Sequence, residues 1–340
     1  MTRSSNGGGG PGIHPTGQTG VMIASRRAAL FEVAELYYEH DLTMNEIAAS
    51  KGLSRSTVSR MLRDARDGGI VEISLNRQSD QTAELAATLT EQHGIRAHVV
   101  ASSDTLSELQ QLERVAAHGA RLLRGMFSSE MTLVIPWGTT VATIGRNLTP
   151  FATRGSRVVQ LNGSGNTFTS GIEYAGNILE MYGRAFEASV HHFPVPVFFD
   201  SASTKSAMWK ERSLQRVLHI QRNADIALFS VGALASEVPG HLYRAGYLGR
   251  AELEHLAGQG VVGDLGTIFL RADGSSDRLP LNARSTGMPI RELKGIPRRV
   301  CVATGHSKVP VLRAALAASA ITDLVTDERT ALELAAAFAG

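Results

Sequence analysis

At 340 residues the chain is longer than one small domain and suits a small unit joined to a large one. Its 43% hydrophobic and 19% charged residues supply a sizeable soluble core, and a formal charge of +2 means that any nucleic-acid footprint has to be local. Cys301, the only cysteine, excludes an intrachain disulfide and a cysteine-built metal site, and fits a reducing, cytoplasmic compartment.

Residues 1–20 are rich in Gly, Ser, Thr and Pro, hold no apolar run long enough for a signal or a membrane span, and read as a disordered tail. Met22 stands directly before the first amphipathic pattern and is a candidate translation start. From Ser25 to His40, Leu30, Val33, Ala34 and Tyr37 fall on one helical face. Thr43-Met44-Asn45-Glu46 is a capping box that opens a second helix, which carries Ile47 and Ala48 inward and ends near Gly52. Ser54 then caps a third. Its apolar stripe is Val58, Met61, Leu62 and Ala65, while Arg55, Ser56, Ser59, Arg60, Arg63 and Arg66 occupy the opposite arc. Between Lys51 and Arg66 stand five basic residues and one acidic one, so charge is strongly positive here although the chain is nearly neutral. The spacing of Ala48, Gly52 and Val58 is that of a helix-turn-helix, and the third helix has the side chains that read base edges and hold phosphates. Thr43, Arg55, Ser56, Thr57, Ser59, Arg60 and Arg63 are the candidate DNA contacts. Gly68-Gly69 followed by Ile70-Val71-Glu72-Ile73-Ser74-Leu75 reads as a turn into a short strand, a wing in outline.

After a polar join around residues 77–81, apolar strands alternate with amphipathic helices, the pattern of a mostly parallel α/β sheet. Strands are expected at 97–101, 132–136, 157–161, 225–231, 267–271, 299–303 and 323–326. The stretch 82–92, with Ala83, Leu85, Ala86 and Leu89, either pairs two chains beside the DNA-binding heads or packs on its own sheet. Ligands in such sheets bind beyond the carboxyl ends of the strands. Four polar loops fall there: Trp137-Gly138-Thr139-Thr140, Asn162-Gly163-Ser164, Gly263-Asp264 in the sharp connection from Gly260 to Gly266, and Gly305-His306-Ser307-Lys308. Glycine permits close approach, threonine hydroxyls and helix-start amides hold an anion, Lys308 adds a cation, and Asp264 accepts sugar hydroxyls. Singly these loops are ordinary turns; together they outline a site made of Gly138, Thr139, Thr140, Asn162, Gly163, Ser164, Asp264 and Lys308. His191, His192 and His306 show no paired partner for acid–base chemistry, Trp137 reads as a packing residue, and Cys301 reads as a small buried side chain.

From about Val21 onward the chain resembles the SorC family of sugar-responsive transcriptional regulators, the SorC/DeoR type. The resemblance rests on the helix-turn-helix from Leu42 to Gly68, Trp137-Gly138-Thr139-Thr140, Val159-Gln160-Leu161-Asn162-Gly163, and Phe193-Pro194-Val195-Pro196 with Asp200. It continues in Asp225-Ile226-Ala227-Leu228, in Gly260 to Asp264, in Gly305-His306-Ser307-Lys308, and in Leu324-Val325-Thr326-Asp327-Glu328, all in the family's order. It implies a Rossmann-like effector domain, similar to sugar-phosphate isomerases but used for sensing. Its phosphate would lie against Gly138, Thr139, Thr140 and Lys308, with Asp264 at the sugar hydroxyls. Many relatives carry two glycines where this chain has Gly305-His306-Ser307, which leaves an unphosphorylated sugar or polyol as the alternative at Lys308.

The expected organisation is a tail over 1–20, a DNA-binding head over 21–78, and an effector and oligomerisation domain over 79–340. The expected partners are operator double-stranded DNA, a small sugar or sugar phosphate, and further copies of the chain as a homodimer or homotetramer, since one short reading helix makes few base contacts. No cofactor, no metal and no membrane enter this reading. The rival is a sugar-phosphate isomerase or deaminase fused to a DNA-binding head; the fold permits it, but no base paired with an orienting group is visible in the sequence.

Overall fold

The computed structural model describes residues 17–38, 40, 42–68, 70–71, 80–103, 106–234 and 240–336, and divides the chain into two compact units, Met1–Asn76 and Arg77–Gly340. In the first, α1 (Gly17–Tyr38), α2 (Met44–Lys51) and α3 (Arg55–Asp67) close around Leu30, Val33, Ala34, Ile47, Ala48, Val58, Leu62 and Ala65. The helix α1 starts at Gly17, eight residues before Ser25, so the last four residues of the expected tail are helical. Once the turns around Leu30 are packed, each added residue loses only its own backbone freedom and gains a hydrogen bond, which carries the helix outward. Both components of the capping box form: the Glu46 amide donates to Thr43 Oγ1 at 3.3 Å and the Thr43 amide to Glu46 Oε2 at 2.8 Å. Gly52 closes α2 in the left-handed conformation, φ 64° and ψ 30°, which an L side chain rarely adopts, and so turns the chain into α3. Beyond α3, Ile70 and Val71 pack on the same core, while the rest of the expected wing lies outside the described residues.

The second unit is built on seven parallel strands. They are β1 (Arg96–Val100), β2 (Thr132–Ile135), β3 (Arg157–Gln160), β4 (Ser189–His191), β5 (Ile226–Phe229), β9 (Arg298–Val302) and β10 (Asp323–Asp327), in the spatial order β1-β10-β9-β5-β2-β3-β4. A separate antiparallel sheet holds β6 (Val231–Ala233), β7 (Val261–Leu265) and β8 (Ile268–Arg271). The strand expected at 225–231 is therefore two, β5 and β6, broken at Ser230, and 267–271 belongs to the antiparallel sheet. The stretch from Gly260 to Gly266, expected as a sharp connection, is mostly strand β7. Its glycines hide the strand pattern because packing demands them: a Cβ on Gly263 would lie 2.1 Å from the Gly232 carbonyl and 2.9 Å from Val311. β7 and β8 join through Gly266 and Thr267, both at positive φ, 53° and 71°, as a tight hairpin requires.

The helices α4 (Asp80–His93), α5 (Glu108–Met126), α6 (Thr139–Arg146) and α7 (Ile172–Phe186) follow the head and the strands β1, β2 and β3 in turn. Leu85 and Leu89 of α4 belong to the core on one face of the sheet, with Ala86 packed on it, while Ala83 is exposed. This apolar face is spent on the chain's own sheet, so it is not the chain-pairing surface that was the other reading. The core on the opposite face is built on α5, α6 and α7. Cys301 is buried in β9, and burial pushes its thiol up to about 12, an inert side chain. Among the described residues no helix is long and apolar enough to cross a membrane.

Asp323 opens β10 with a side chain that exposes no surface. Arg96 reaches it from β1 at 2.7 and 3.1 Å, Arg298 from β9 at 2.8 and 3.1 Å, and the Thr322 hydroxyl at 2.7 Å. Burial opposes its ionisation, but hydrogen bonds from Arg96 and Thr322 and the charges of Arg298 and Arg96 outweigh it and hold the carboxyl below the usual range. A depressed folded pKa stabilises above the ordinary carboxylate value, and that contribution fades as pH falls through the folded value. Asp323→Ala is expected to destabilise this unit by about 2–3 kcal/mol near neutral pH, less than a fully enclosed pair because Arg96 can hydrate. Urea titration followed by tryptophan emission checks this, since Trp137 and Trp209 both lie in this unit; the gap between variant and parent should narrow in acid.

Candidate ligand cavity and nucleic-acid interface

From β2 the chain runs outward through β3 and β4, then returns to the other side of β2 with β5 and continues through β9 and β10. The direction reverses between β2 and β5, and beyond the carboxyl ends of those strands a crevice opens because their connections part. A cavity of about 710 Å³ fills it. Gly138, Thr139, Thr140, Asp264 and Lys308 all line it. Gly138 precedes α6 at φ 151°, and because it has no side chain the first amides of α6 carry no side-chain cap. The neighbouring α5 differs: Ser107 and Gln110 close a complete capping box on it. Free amides at a helix start attract an anion, and Thr140 adds a hydroxyl.

Lys308 follows β9 and reaches across this point, its Nζ 3.5 Å from Thr140 Oγ1 and 3.4 Å from Ser230 Oγ. Burial pulls its pKa down from the ordinary lysine value, while Asp264, Glu108 and Asp327 draw it back up. Asp264 sits on β7 opposite Gly232, where any Cβ would lie 2.2 Å from its carboxylate oxygen. Both of its oxygens are engaged: Tyr243 Oη donates to Oδ1 at 2.7 Å, and the Thr267 amide donates to Oδ2 at 2.9 Å. The carboxylate thereby also braces the hairpin turn in which Thr267, a β-branched residue, has left-handed φ. Burial raises its pKa to about 6, against the hydrogen bonds from Tyr243 and Thr267 and the charge of Lys308. A raised carboxyl favours folding at low pH, and that contribution is lost as pH rises through about 6.

Asn162, Gly163 and Ser164 do not line the cavity. This loop is held behind it: Trp137 Nε1 donates to the Gly163 carbonyl at 2.8 Å, Tyr247 Oη to the Ser164 carbonyl at 2.8 Å, and the Gly163 amide to Thr286 Oγ1 at 3.0 Å. A Cβ on Gly163 would lie 2.3 Å from the carbonyl oxygens of Val195 and Pro196, so its glycine serves a close backbone crossing and not a ligand. Asn162 and Ser164 are buried at 1% and 5% exposure. Trp137 both packs and lines the cavity, stacked on Tyr247 with centroids 5.1 Å apart.

Other lining residues escape the strand-end search. His241 and Tyr243 come from the single helical turn His241–Arg244, and His241 stacks on Tyr174 at 4.2 Å. Their only mark in the sequence is the aromatic spacing His241, Tyr243, Tyr247. Asp327 ends β10 and ties the floor together: the Thr330 amide donates to it at 3.0 Å, Ser102 Oγ at 3.3 Å, and Thr304 Oγ1 also donates to it. His306 has a partner that linear distance concealed, with Nδ1 2.6 Å from Glu333 Oε2.

In the head, α3 buries Val58, Leu62 and Ala65 and exposes Arg55, Ser56, Arg60 and Arg63, with Ser59 and Thr57 half-buried. Two candidate hydroxyls already work as caps. Thr43 Oγ1 donates to Glu46 Oε2 at 2.7 Å, and Thr57 Oγ1 lies 2.8 Å from the capping Ser54 Oγ, which also takes the Thr57 amide at 3.1 Å. The exposed arc of α3 thus has the form of a reading face: cationic, accessible and borne on a helix whose other side is fixed in a core.

A family model described as "Putative sugar-binding domain" matches residues 77–336, and one for Sigma-70, region 4, matches residues 32–67. The chain is 32% identical over 316 residues to a deoxyribonucleoside regulator of Bacillus subtilis (strain 168), covering 92% of this chain and 99% of the relative. The full-length sorbitol operon regulator SorC from Klebsiella pneumoniae shares 25% identity and superposes with a TM-score of 0.73 over 91% of this chain and 98% of its own. A domain of a possible sugar-binding transcriptional regulator from Arthrobacter aurescens TC1 shares 45% identity with a TM-score of 0.71, covering 76% of this chain and 99% of that one. A sugar-binding model spanning most of the chain, a helix-turn-helix model on its head and relatives matched nearly end to end agree: the chain belongs to the SorC family of sugar-binding transcriptional regulators.

Proposed function

We propose that this chain is a regulator whose affinity for operator DNA is set by a sugar phosphate held in the cavity of the second unit. The observation that carries it is the uncapped start of α6 facing Lys308 across the reversal point between β2 and β5. An anion there meets free amides, the Thr140 hydroxyl and a half-buried ammonium, while the cavity's hydroxyl and carboxylate groups suit a polyol. Asn162, Gly163 and Ser164 hold the wall from behind, and Asp264 acts mainly as a brace for Tyr243 and the hairpin turn. Residues 21–78 form the DNA-binding head and 79–340 the effector and oligomerisation domain. The protein works as a dimer or a dimer of dimers in the cytoplasm, placing two reading helices on half-sites related by two-fold symmetry. The effector alters operator affinity by its difference in affinity for the two states, typically 1–3 kcal/mol. A sensor of this kind returns its sugar phosphate unchanged, which isomer analysis after prolonged incubation would show.

On the DNA side, Arg55→Ala and Arg60→Ala are each expected to weaken specific binding by about 1–3 kcal/mol where the side chain reads a base, or to flatten the salt dependence where it holds a phosphate. Fluorescence anisotropy on operator DNA across a salt series separates the two, and unchanged affinity and slope in both variants would remove α3 as the reading helix. On the effector side, Thr140→Ala and Lys308→Ala are expected to abolish the response to sugar phosphates while effector-free operator binding stays within about twofold, since both residues lie outside the DNA head. An operator titration in which both variants respond at the parent's effector concentration would move the site elsewhere.

A further inference from the structure

The helix α1 carries four charged residues, and the head satisfies two of them. Arg26 reaches Asp64 of α3 at 3.0 Å, and Lys51 of α2 pairs with Glu32. The side chains of Arg27, which is exposed, and Glu35, which is half-buried, have no ion-pair or hydrogen-bond partner among the described residues. Their positions are related: each stands four residues from Phe31, one before it and one after. At about 100° per residue, Arg27 and Glu35 lie about 40° to either side of Phe31 and Tyr38 about 20° from it, so all four share one face of the helix.

That face is aromatic at its centre. Phe31 is 55% exposed and Tyr38 38%, and these two are the large hydrophobic side chains that the described part of the head leaves in solvent. The head's own core takes Leu30, Val33 and Ala34 from a different stripe of α1. Exposed aromatic surface rimmed by charge marks a contact site, and the order of the charges says with what. Glu35 would repel DNA phosphates, and the cations of the reading face stand on α3 instead. A partner of one charge sign would be matched at one end of the face and repelled at the other. A second copy of α1, laid antiparallel with a two-fold axis at Phe31, is matched at both ends: Arg27 of each copy meets Glu35 of the other, and Phe31 meets its own copy at the axis. A parallel pair would instead oppose like charges. The face is thus complementary to itself, as a two-fold contact between identical chains requires.

We propose that two DNA-binding heads pair through α1, antiparallel about Phe31, with an Arg27–Glu35 ion pair on each side of the axis. This rests on the dimer reading above and assigns the surface that joins the heads. The patch is small, so the pairing depends on heads already brought together within one oligomer. Cross-linking of the full chain tests it without DNA. Cys301 is buried, so in Phe31→Cys the new thiol is the accessible one. A short bis-maleimide should give a covalent dimer from Phe31→Cys and little from Ala29→Cys, an exposed position about 160° around the helix. In the Phe31→Cys chain, adding Arg27→Glu or Glu35→Arg should each lower the dimer yield about fivefold, since either change turns two attractions into repulsions. Adding both should restore it to within about twofold, because the exchanged charges meet again. Neither side chain has a partner inside the head, so these changes leave its fold intact. Light scattering on the same chains gives the oligomeric state. An oligomer that cross-links no better at Phe31→Cys than at Ala29→Cys, or whose yield ignores the single charge changes or is not restored by the double one, would overturn this inference and leave the dimer reading standing. A parent chain that is monomeric at the cross-linking concentration would remove both.

Discussion

A parallel sheet sends every strand's carboxyl end to the same edge, and every following helix must begin there. In this chain that constraint concentrates polar backbone at one place. The helices that follow β1, β2, β9 and β10 all start around one cavity, and what distinguishes them is how each start is satisfied. Side chains cap α5, through Ser107 and Gln110, and Asp327 takes the amide of Thr330 at the start of the helix Glu328–Ala336. The start of α6, behind Gly138, meets the cavity without a side-chain cap and with Lys308 opposite; the helix Val309–Ala317 after β9 also lacks a side-chain cap, but there the lysine belongs to its own start. The reversal of strand order between β2 and β5 puts the α6 start at the crevice.

Charge is handled differently at the two ends of the sheet. At the amino ends Asp323 is enclosed but matched by Arg96, Arg298 and Thr322, so these partners outweigh the cost of its burial and contribute to stability at neutral pH. At the carboxyl ends Asp264 and Lys308 are drawn toward neutrality by burial and are not directly paired, each held instead by neutral partners: Tyr243 and the Thr267 amide for one, Thr140 and Ser230 for the other. Such a site is electrostatically unfinished. Under the proposed function, a ligand bringing negative charge to Lys308 would supply what the fold withholds, and so give binding a way to discriminate between states of the protein.

Much of this was legible in the sequence. The helix-turn-helix followed from local rules alone: a capping box at Thr43 and Glu46, a left-handed glycine at 52, and an apolar stripe at 3.6-residue spacing, all of which the structure contains. Six of the seven expected strand segments fall on strands of the parallel sheet, since buried parallel strands are short apolar runs, while 267–271 falls on β8 of the antiparallel sheet and β4 and β7 were not expected as strands. Glycines were the weak point. Gly163 and Gly263 look like ligand loops, yet both are glycine because another stretch of backbone passes within reach of a Cβ, and sequence cannot tell a backbone neighbour from a ligand.

The local periodicities and caps therefore determined the reading helix, the alternation of strands and helices, and the threonine and lysine loops that face one another. They could do so because each depends on residues within a few positions of one another. Which loops meet was decided by strand order, a long-range property. It turned Asn162, Gly163 and Ser164 away from the cavity, brought Tyr243 onto Asp264 and Glu333 onto His306, and packed the apolar face of α4 on its own sheet. Those contacts join residues far apart in the chain, and no spacing rule encodes them; they exist only once the sheet has fixed its order and the helices their faces.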